Sequence, residues 1–332
     1  MTLPLREFMS NGAVTAIGSY VPERHLTNED LSAMVDTNDE WIVRRTGIRE
    51  RRVAAEGEFS SHLAARAVED MLRRYPTETA DIDAVIVATT TPDTPFPSVA
   101  SRIQNAFGIR SCLAFDLNAA CAGFVSGLQV ANGLLLTGAY RKVLVVGVET
   151  LTRITDYADR STCILFGDGA GAVLVETAEQ GAFLATDAAT DGSGGGFVYA
   201  SGLSKEWNGV PLEGDGKIVQ NGREVYKWAV TRAPEGIRRM LDKAGLTAEQ
   251  LDWFVPHSAN LRMIEAMCER LGLPPEKALN SVTAYGNTSA ASIPLALDLA
   301  VKDGRLAAGQ VAALYGFGSG LSQAGLLLRW TI

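Results

Sequence analysis

The chain has few of the residues that mark disulfide frameworks, metal sites and membrane spans. Its 332 residues include four cysteines and three histidines, and no two cysteines have the CxxC spacing typical of structural zinc. No apolar run approaches the roughly 20 residues that cross a bilayer. We therefore expect no disulfide framework, bound metal or membrane span. The thiols predicted to be free are Cys112, Cys121, Cys163 and Cys268.

Positive charge is also scarce. Lys and Arg number 30 against 38 Asp and Glu, which gives a net charge of −8. Nucleic-acid affinity rests mostly on neutralising phosphates with Lys and Arg, so a general polyanion binder is excluded. The N-terminus has no basic segment followed by an apolar stretch, and a cytoplasmic location is expected.

The residues that are present predict an α/β protein with a large core. Hydrophobic residues make up 47% of the chain, and its length favours two domains or one duplicated domain. Short β-branched runs alternate with helical segments, which predicts mostly parallel strands. Capping boxes at 37–40 and 247–250 predict helix starts, and 191–216 is predicted to be a loop between halves.

The chain also shows an internal repeat. A strand begins at Asp83, and a small-residue helix opens 38 residues later at Cys121. A second strand begins at Asp252, and Asn287 follows 35 residues later. A further strand follows each helix, so we interpret the chain as two copies of one unit with a pocket at their pseudo-twofold junction. The predicted halves are residues 1–180 and 181–332.

Three side chains at strand ends form a candidate site. Cys121 is predicted at a helix N-terminus, where the partial positive charge favours a thiolate. His257 ends a strand and would act as a donor or a base, whereas His25 and His62 are expected to be caps or surface residues. Asn287 opens a small-residue helix, where its default role is N-cap. Matching positions in a duplicated fold suggest that Cys121, His257 and Asn287 work together.

Six motifs in order give the chain a recognisable pattern. They are DTNDEWIVRRTGIRER at 36–51, NAACAGF at 118–124, FGDGAGA at 166–172, PHSANLR at 256–262, YGNTSA at 285–290 and GFGSGL at 316–321. With these motifs the chain resembles the β-ketoacyl-acyl-carrier-protein synthase III family of the thiolase superfamily. The resemblance implies the duplicated, five-layered αβαβα thiolase-like fold and a homodimer. Ser319 stands where this family commonly has a glycine.

The resemblance implies a decarboxylative Claisen condensation that initiates fatty acid synthesis. Cys121 would take the acyl group from a short or branched acyl-coenzyme A, with the N–H groups of Cys121 and Ser319 binding the oxyanion. Malonyl-acyl-carrier protein would then lose carbon dioxide, and its enolate would attack the acyl group. His257 Nε2–H and the Asn287 amide would stabilise that enolate.

The same resemblance assigns the binding residues. The acyl-coenzyme A site would comprise Thr37, Trp41, Arg45, Arg160, Gly222, Ala259 and Asn260, with Trp41 and Arg160 on either side of the adenine. Phe96 would reach the partner's acyl pocket, and Lys227 and Arg262 would dock the acidic carrier protein. Coenzyme A is a substrate here, and no cofactor is expected. The glycines at 167–171 precede a strand-like run, so they are not a dinucleotide loop, which must follow a strand and open a helix.

Three alternatives stay open at this stage. A specialised relative that makes secondary metabolites or transfers acyl groups to another acceptor would share these motifs. A papain-like cysteine hydrolase also uses Cys, His and Asn, but on a different fold. A non-catalytic binding homologue is disfavoured because all three chemical residues are present. No interaction with nucleic acid or membrane is expected.

Overall fold

The computed structural model describes residues 8–332, so residues 1–7 of the predicted N-terminal half lie outside the described residues. The first twelve elements along the chain belong to one half of the fold. They are β1 Gly12–Tyr20, β2 Arg24–Thr27, α1 Asn28–Ser32, α2 Asp39–Thr46, β3 Glu50–Val53, α3 Ser60–Arg74, β4 Ala84–Ala88, α4 Val99–Ala106, β5 Leu113–Leu117, α5 Gly123–Leu136, β6 Lys142–Thr150 and β7 Asp168–Thr177.

The second half continues from residue 183. Its elements are β8 Phe183–Thr190, β9 Val198–Ala200, β10 Glu206–Trp207, β11 Val210–Pro211, β12 Ile218–Gln220, α6 Gly222–Ala244, β13 Trp253–Pro256, α7 Leu261–Leu271, α8 Val282–Tyr285, α9 Ser292–Lys302, β14 Val311–Gly318 and β15 Ser322–Arg329. Short 3₁₀ turns lie at Thr79–Asp81, Ala120–Ala122, Leu151–Ile154, Gly192–Phe197, Ala248–Gln250, Pro275–Lys277, Ser289–Ala291 and Ser319–Leu321. Within residues 8–332 no helix combines the length and apolar character needed to cross a membrane.

Two mixed sheets form the framework. The first has the order β1-β7-β6-β4-β5 and the second β13-β14-β15-β8. Strand β4 is parallel to β5 and β6, and β13 is parallel to β14, but the other pairs within these two sheets are antiparallel. The prediction of mostly parallel strands is therefore wrong. The β6–β7 and β14–β15 connections contain no crossover helix, so consecutive strands return antiparallel.

The second sheet repeats the order of four strands of the first, with β8, β15, β14 and β13 equivalent to β1, β7, β6 and β4. Strand β4 starts at Ala84 and β13 at Trp253, and the same interval of 169 residues separates the starts of α5 and α9 and of β6 and β14. The equivalent of Cys121 is therefore Ala290, and Asn287 corresponds to Asn118. The expectation that Cys121 and Asn287 occupy equivalent positions is wrong by three residues, although the duplication itself is present.

The core has the predicted five layers. Helices α3 and α4 cover the outer face of the first sheet, and α6 and α7 cover that of the second. Helices α5 and α9 lie between the sheets. Helix α3 buries one apolar stripe, whereas α5 and α9 are apolar on most faces, as a helix enclosed between two sheets must be. These central helices begin at the residues that carry the candidate site.

Local structure departs from the sequence expectations at two helix starts and one loop. Asn38, not Thr37, caps α2, because its side chain accepts the Trp41 N–H at 2.8 Å. The capping box at Thr247 opens only a 3₁₀ turn. The predicted loop at 191–216 contains the two-stranded β10–β11 hairpin, and its strand β9 pairs with β12.

Candidate active site

A cavity of about 1270 Å³ opens where the carboxyl ends of β4, β5, β13 and β14 meet. Cys121, His257, Asn287 and Ser319 all line it, although they lie far apart in the chain. None of the described residues that line it is an Asp or a Glu. Its basic lining residues, concentrated near α2, α6 and α7, are Arg44, Arg45, Arg223, Lys227 and Arg262.

Cys121 lies in the 3₁₀ turn that joins β5 to α5. The preceding Ala120 has a φ of 46°, and its equivalent in the second half, Ser289, has a φ of 45°. The left-handed conformation costs a non-glycine residue about 1–2 kcal/mol, so both halves hold the same strained turn. In each turn an asparagine side chain accepts a main-chain N–H: Ala120 N–H donates to Asn118 Oδ1 at 3.3 Å, and Ser289 N–H donates to Asn287 Oδ1 at 2.9 Å.

The end of β14 lies directly against Cys121. A Cβ added to Gly318 would lie 2.9 Å from the Cβ and the N of Cys121 and 3.1 Å from its Sγ. Real side chains do not approach this closely, so the contact requires glycine. Ser319 follows at once, and its hydroxyl donates to the Val198 carbonyl at 2.6 Å. The main-chain segment of Ser319 is therefore held beside the nucleophile while its side chain is engaged elsewhere.

His257 follows β13 and is buried. Its Nδ1 lies 2.8 Å from Ser292 Oγ, and its ring packs edge-on against Phe317 at 5.2 Å. Ser292 Oγ also lies 2.8 Å from the Ser289 carbonyl, so one hydroxyl proton has two acceptors. When that proton goes to Nδ1, His257 carries its own proton on Nε2 and is a donor; when it goes to Ser289, Nε2 is an acceptor.

The main chain of Asn287 is pinned on both sides. Its N–H donates to the Leu165 carbonyl at 2.8 Å, and its carbonyl accepts from Gly167 N–H at 3.0 Å. A Cβ on Gly167 would lie 2.3 Å from the Tyr285 carbonyl oxygen. The glycines at 166–172 thus hold the Asn287 loop in place. Because Oδ1 of Asn287 is occupied by Ser289 N–H, the amide Nδ2 is left for the cavity.

Burial controls the protonation of the site. Burial lowers the pKa of His257 to about 3, so the ring is neutral at physiological pH. Burial also raises the pKa of the Cys121 thiol to about 12, despite a stabilising contact from the Ser289 side chain. This direction is opposite to the thiolate expected from a helix N-terminus alone, and α5 begins two residues after Cys121. Cys121 itself is half-buried and lines the cavity.

Comparisons with known proteins agree with this geometry. Models of 3-oxoacyl-[acyl-carrier-protein] synthase III and of its C-terminal part match residues 115–192 and 241–330. A β-ketoacyl-[acyl-carrier-protein] synthase III 2 from Halalkalibacterium halodurans is 55% identical over 325 residues, 98% of each chain. The chain belongs to the β-ketoacyl-[acyl-carrier-protein] synthase III family. A crystal structure of a synthase III from Thermus thermophilus is 47% identical with a TM-score of 0.93, covering 96% of this chain and 99% of that one.

Family membership makes the chain an acyl-transferring condensing enzyme with a thiolase-type fold, as predicted. The papain-like alternative is wrong, because it requires a different fold. A priming β-ketosynthase from the R1128 polyketide biosynthetic pathway is 37% identical with a TM-score of 0.89, covering 100% of this chain and 98% of that one. The same architecture therefore occurs in polyketide biosynthesis, and the alternative of a specialised relative stays open.

The predicted coenzyme A residues divide into two groups. Trp41, Arg45, Gly222, Ala259 and Asn260 line the cavity, whereas Thr37 and Arg160 do not. The Arg160 guanidinium lies 4.4 Å from the Trp41 ring centre. Two stacking layers need about 7 Å, so no adenine fits between these side chains until they separate. Thr37 Oγ1 is buried and makes no hydrogen bond within the described residues.

The predicted docking residues Lys227 and Arg262 line the cavity, whereas Phe96 lies outside it. Phe96 is 84% exposed and does not line the cavity of its own chain. Lys227 pairs with Glu224 at 2.8 Å. Arg262 donates to the Arg44 carbonyl at 3.0 Å, which ties α7 to the last turn of α2. Arg262 therefore holds these two helices together, and its role in docking the carrier protein stays a prediction.

Sequence reasoning missed Glu149 and Ser289. Glu149 lies near the end of the apolar strand β6 and is fully buried. Burial raises the pKa of its carboxyl group, which accepts from the Thr90 and Thr91 hydroxyls at 2.9 and 2.7 Å. A single acid in a nine-residue apolar strand was the available signal, because a buried charge needs a specific reason.

Proposed function

We propose that this enzyme primes fatty acid synthesis in two stages, with Cys121 carrying the acyl group. In the first stage, the sulfur attacks the thioester carbonyl of a short straight or branched acyl-coenzyme A. Coenzyme A leaves with a proton, and an acyl-cysteine remains. The close contact between Gly318 and Cys121 supports an oxyanion site made by the main-chain N–H groups of Cys121 and Ser319.

In the second stage, malonyl-acyl-carrier protein loses carbon dioxide to give an enolate. The enolate carbon attacks the acyl carbonyl, the cysteine sulfur leaves, and 3-ketoacyl-acyl-carrier protein is formed. His257 Nε2–H and the Asn287 amide bind the enolate oxygen. The neutral state of His257 suits this role, because a donor is required and no charged base competes for the carbanion. The absence of Asp and Glu among the described lining residues supports the same conclusion.

One observation carries the proposal: a thiol, a neutral imidazole and an amide from separate strand ends line a single cavity. The family's reaction needs a nucleophile for the acyl group and two neutral donors for the enolate. These three side chains provide both.

The charge of the cavity mouth supports anionic substrates. The protein has a net charge of −8, yet the charged residues that line the cavity are all basic in the described part of the chain. Arg45 would meet coenzyme A phosphates, with Thr37, Trp41 and Arg160 at the nucleotide and Gly222, Ala259 and Asn260 along the pantetheine. The acidic carrier protein would dock on the same rim at Lys227 and Arg262.

We further propose a cytoplasmic homodimer that needs no resident cofactor. The high exposure of Phe96 supports a role outside its own subunit, in the acyl pocket of the partner. A bulky ring at that position would favour short or compact branched primers.

The test is the intact mass of the protein after incubation with a panel of short and branched acyl-coenzyme A thioesters. We expect one acyl group on the wild-type chain and none on Cys121→Ala. Addition of malonyl-acyl-carrier protein should discharge the acyl group as 3-ketoacyl-carrier protein. If the acyl-enzyme forms but persists, the specialised relative that uses another acceptor is the better assignment. If no acyl-enzyme forms, Cys121 is not the acyl carrier.

A further inference from the structure

Arg51, the last residue of the motif at 36–51, is a fully buried arginine in β3. Its guanidinium partners in the described part of the chain are neutral oxygens. The Ile164 carbonyl accepts from Nε at 3.0 Å and also from Nη2, and Asn28 Oδ1 accepts from Nη1. A buried charge is normally paired with an opposite charge or replaced by an apolar residue, because its desolvation is costly. These contacts therefore require a specific reason.

The Ile164 carbonyl belongs to the segment that holds Asn287. The next carbonyl along the chain, that of Leu165, accepts the Asn287 N–H at 2.8 Å. On the other side, the Gly167 N–H donates to the Asn287 carbonyl at 3.0 Å. By fixing the Ile164 carbonyl with two donors, Arg51 fixes the start of the segment to which the Asn287 main chain is bonded.

Strand β3 also contacts the chain that leads into Asn287. A Cβ on Gly286 would lie 3.0 Å from Arg51 Cγ, so the stem of the arginine packs directly against this loop. Just before β3, the Arg49 N–H donates to the Thr283 carbonyl of α8 at 3.0 Å. Helix α8 ends at residue 285, directly before Gly286. The region around Arg51 therefore holds the Asn287 loop through both a side chain and the main chain.

The second acceptor of the guanidinium group is itself fixed. Asn28 is buried, and its Nδ2 donates to Asp39 Oδ1 at 2.8 Å and to the Ile48 carbonyl at 2.9 Å. With its amide nitrogen engaged in this way, Asn28 presents Oδ1 to Arg51. The planar guanidinium group is thus held at both ends, which gives it one orientation behind the candidate site.

We propose that Arg51 is a positioning residue for condensation, which keeps the Asn287 amide directed at the enolate oxygen by fixing the segment that holds the Asn287 main chain. This inference rests on the proposed function, in which Asn287 acts on the enolate and not on the thioester. Arg51 does not line the cavity in the described part of the chain, so it acts through Asn287 and not on a reacting atom. No bond forms or breaks at Arg51.

This role predicts different effects on the two stages. Acyl loading depends on Cys121 and on main-chain N–H groups at positions 121 and 319, and the hydrogen bonds of Arg51 reach none of these groups. A displaced Asn287 loop should therefore slow condensation while loading continues. A general loss of structure would slow both stages.

The experiment measures the two half-reactions separately in wild type and in Arg51→Met, which keeps an unbranched stem but removes the charge and every donor. Loading at saturating acyl-coenzyme A is followed by rapid quench and intact mass, and condensation by mixing pre-acylated enzyme with malonyl-acyl-carrier protein. We expect loading to be retained and condensation to slow by about 10- to 100-fold, since a misplacement of about 1 Å can cost a factor of this size. Arg49→Met, at an exposed side chain two positions earlier, is the matched control and should change neither rate.

Arg51→Lys separates the guanidinium geometry from its charge. Lysine keeps the charge, but its single nitrogen replaces the planar group that reaches both acceptors. We expect condensation to be slowed here too, by a smaller factor than in Arg51→Met. If Arg51→Lys condenses at the wild-type rate, the geometry of the guanidinium group is not needed and the proposal is wrong. If Arg51→Met does not fold, Arg51→Lys decides the question by the same comparison of loading with condensation.

A double substitution tests the link to Asn287. In Asn287→Ala the amide is already absent, so adding Arg51→Met should slow condensation no further. A further loss as large as that caused by Arg51→Met alone would show that Arg51 acts elsewhere. Wild-type condensation in Arg51→Met, or equal slowing of loading and condensation, would also overturn the proposal. A wild-type chain that does not load at all would refute the proposed function instead.

Discussion

Gly318→Ala should separate the oxyanion site from the nucleophile. The φ of Gly318 is −175°, which is extended backbone that alanine also adopts, so the substitution acts only through contact. The new methyl group would lie 2.9 Å from the N and the Cβ of Cys121, which are rigid main-chain or near-main-chain atoms. Either β14 or the Cys121 turn must therefore move. Overpacking of this kind costs about 1–3 kcal/mol of stability.

The larger effect of Gly318→Ala should be on acyl loading. Moving β14 displaces the Ser319 N–H from the position where the oxyanion would form, and loss of one such donor costs about 10²–10³ in rate. Rapid-quench mass measurement of acyl-Cys121 formation gives this rate directly. The control is Gly133→Ala on α5, where an added Cβ meets nothing within 4 Å. That exposed helical position should gain about 1 kcal/mol in stability and leave loading unchanged. If Gly318→Ala loads at the wild-type rate, the proposed oxyanion site is misplaced.

Three further predictions concern the histidine and the mouth. Ser292→Ala should slow condensation of pre-acylated enzyme about tenfold and spare loading, because His257 loses the hydrogen bond to its Nδ1; unchanged condensation would exclude a role for Ser292 in setting the tautomer. Arg160→Ala should raise KM for acyl-coenzyme A by about two- to fivefold through lost stacking, while an acyl-pantetheine without adenine shows no change. His257 titrates at about 6.5 when unfolded and at about 3 when folded, so the unfolded state binds the extra proton in that interval. The unfolding free energy should accordingly fall by about 1.4 kcal/mol for each pH unit below pH 6.5. When the unfolding free energy is measured with urea at a series of pH values, it should change less with pH in His257→Asn than in the wild type.

The duplication and the three chemical residues could be predicted from the sequence for physical reasons. The two copies have equal spacing because each must cross a sheet of the same kind and return through a central helix of similar length. Cys121 and His257 were visible because both are rare residue types in this chain and both follow apolar strands. Asn287 was visible through the glycine and small residues around it.

Other features could not be predicted because they depend on distant contacts. Burial between the two sheets raises the pKa of the Cys121 thiol, and the position of Cys121 near a helix N-terminus in the sequence does not indicate that burial. The direction of a strand depends on its connection to the strand before it. The lengths of the β6–β7 and β14–β15 connections in the sequence did not indicate that they join antiparallel strands. The stacking of Arg160 on Trp41 joins residues over a hundred positions apart and closes the expected adenine site. The domain boundary near residue 180 stays a prediction.

The pseudo-twofold relation gives two of the three chemical residues an alanine as their equivalent in the other half, whereas the equivalent of Asn287 is Asn118. With the 169-residue interval, Cys121 corresponds to Ala290 and His257 to Ala88. The two central turns also receive equivalent contacts: Gly147 of β6 lies against Ala290, and Gly316 of β14 lies against Ala122 and the Cys121 carbonyl.

The residues two positions further along these strands differ, and the difference has a chemical consequence. In β14 the residue is Gly318, which lets the strand end approach the Cys121 nitrogen and sulfur. In β6 it is Glu149, whose buried carboxylate accepts from the Thr90 and Thr91 hydroxyls. The equivalent of Cys121 in that half is Ala290, so no nucleophile there requires a close main-chain approach. A carboxylate at position 318 would overlap the nucleophile, so only the copy without a nucleophile can carry an acid at this position.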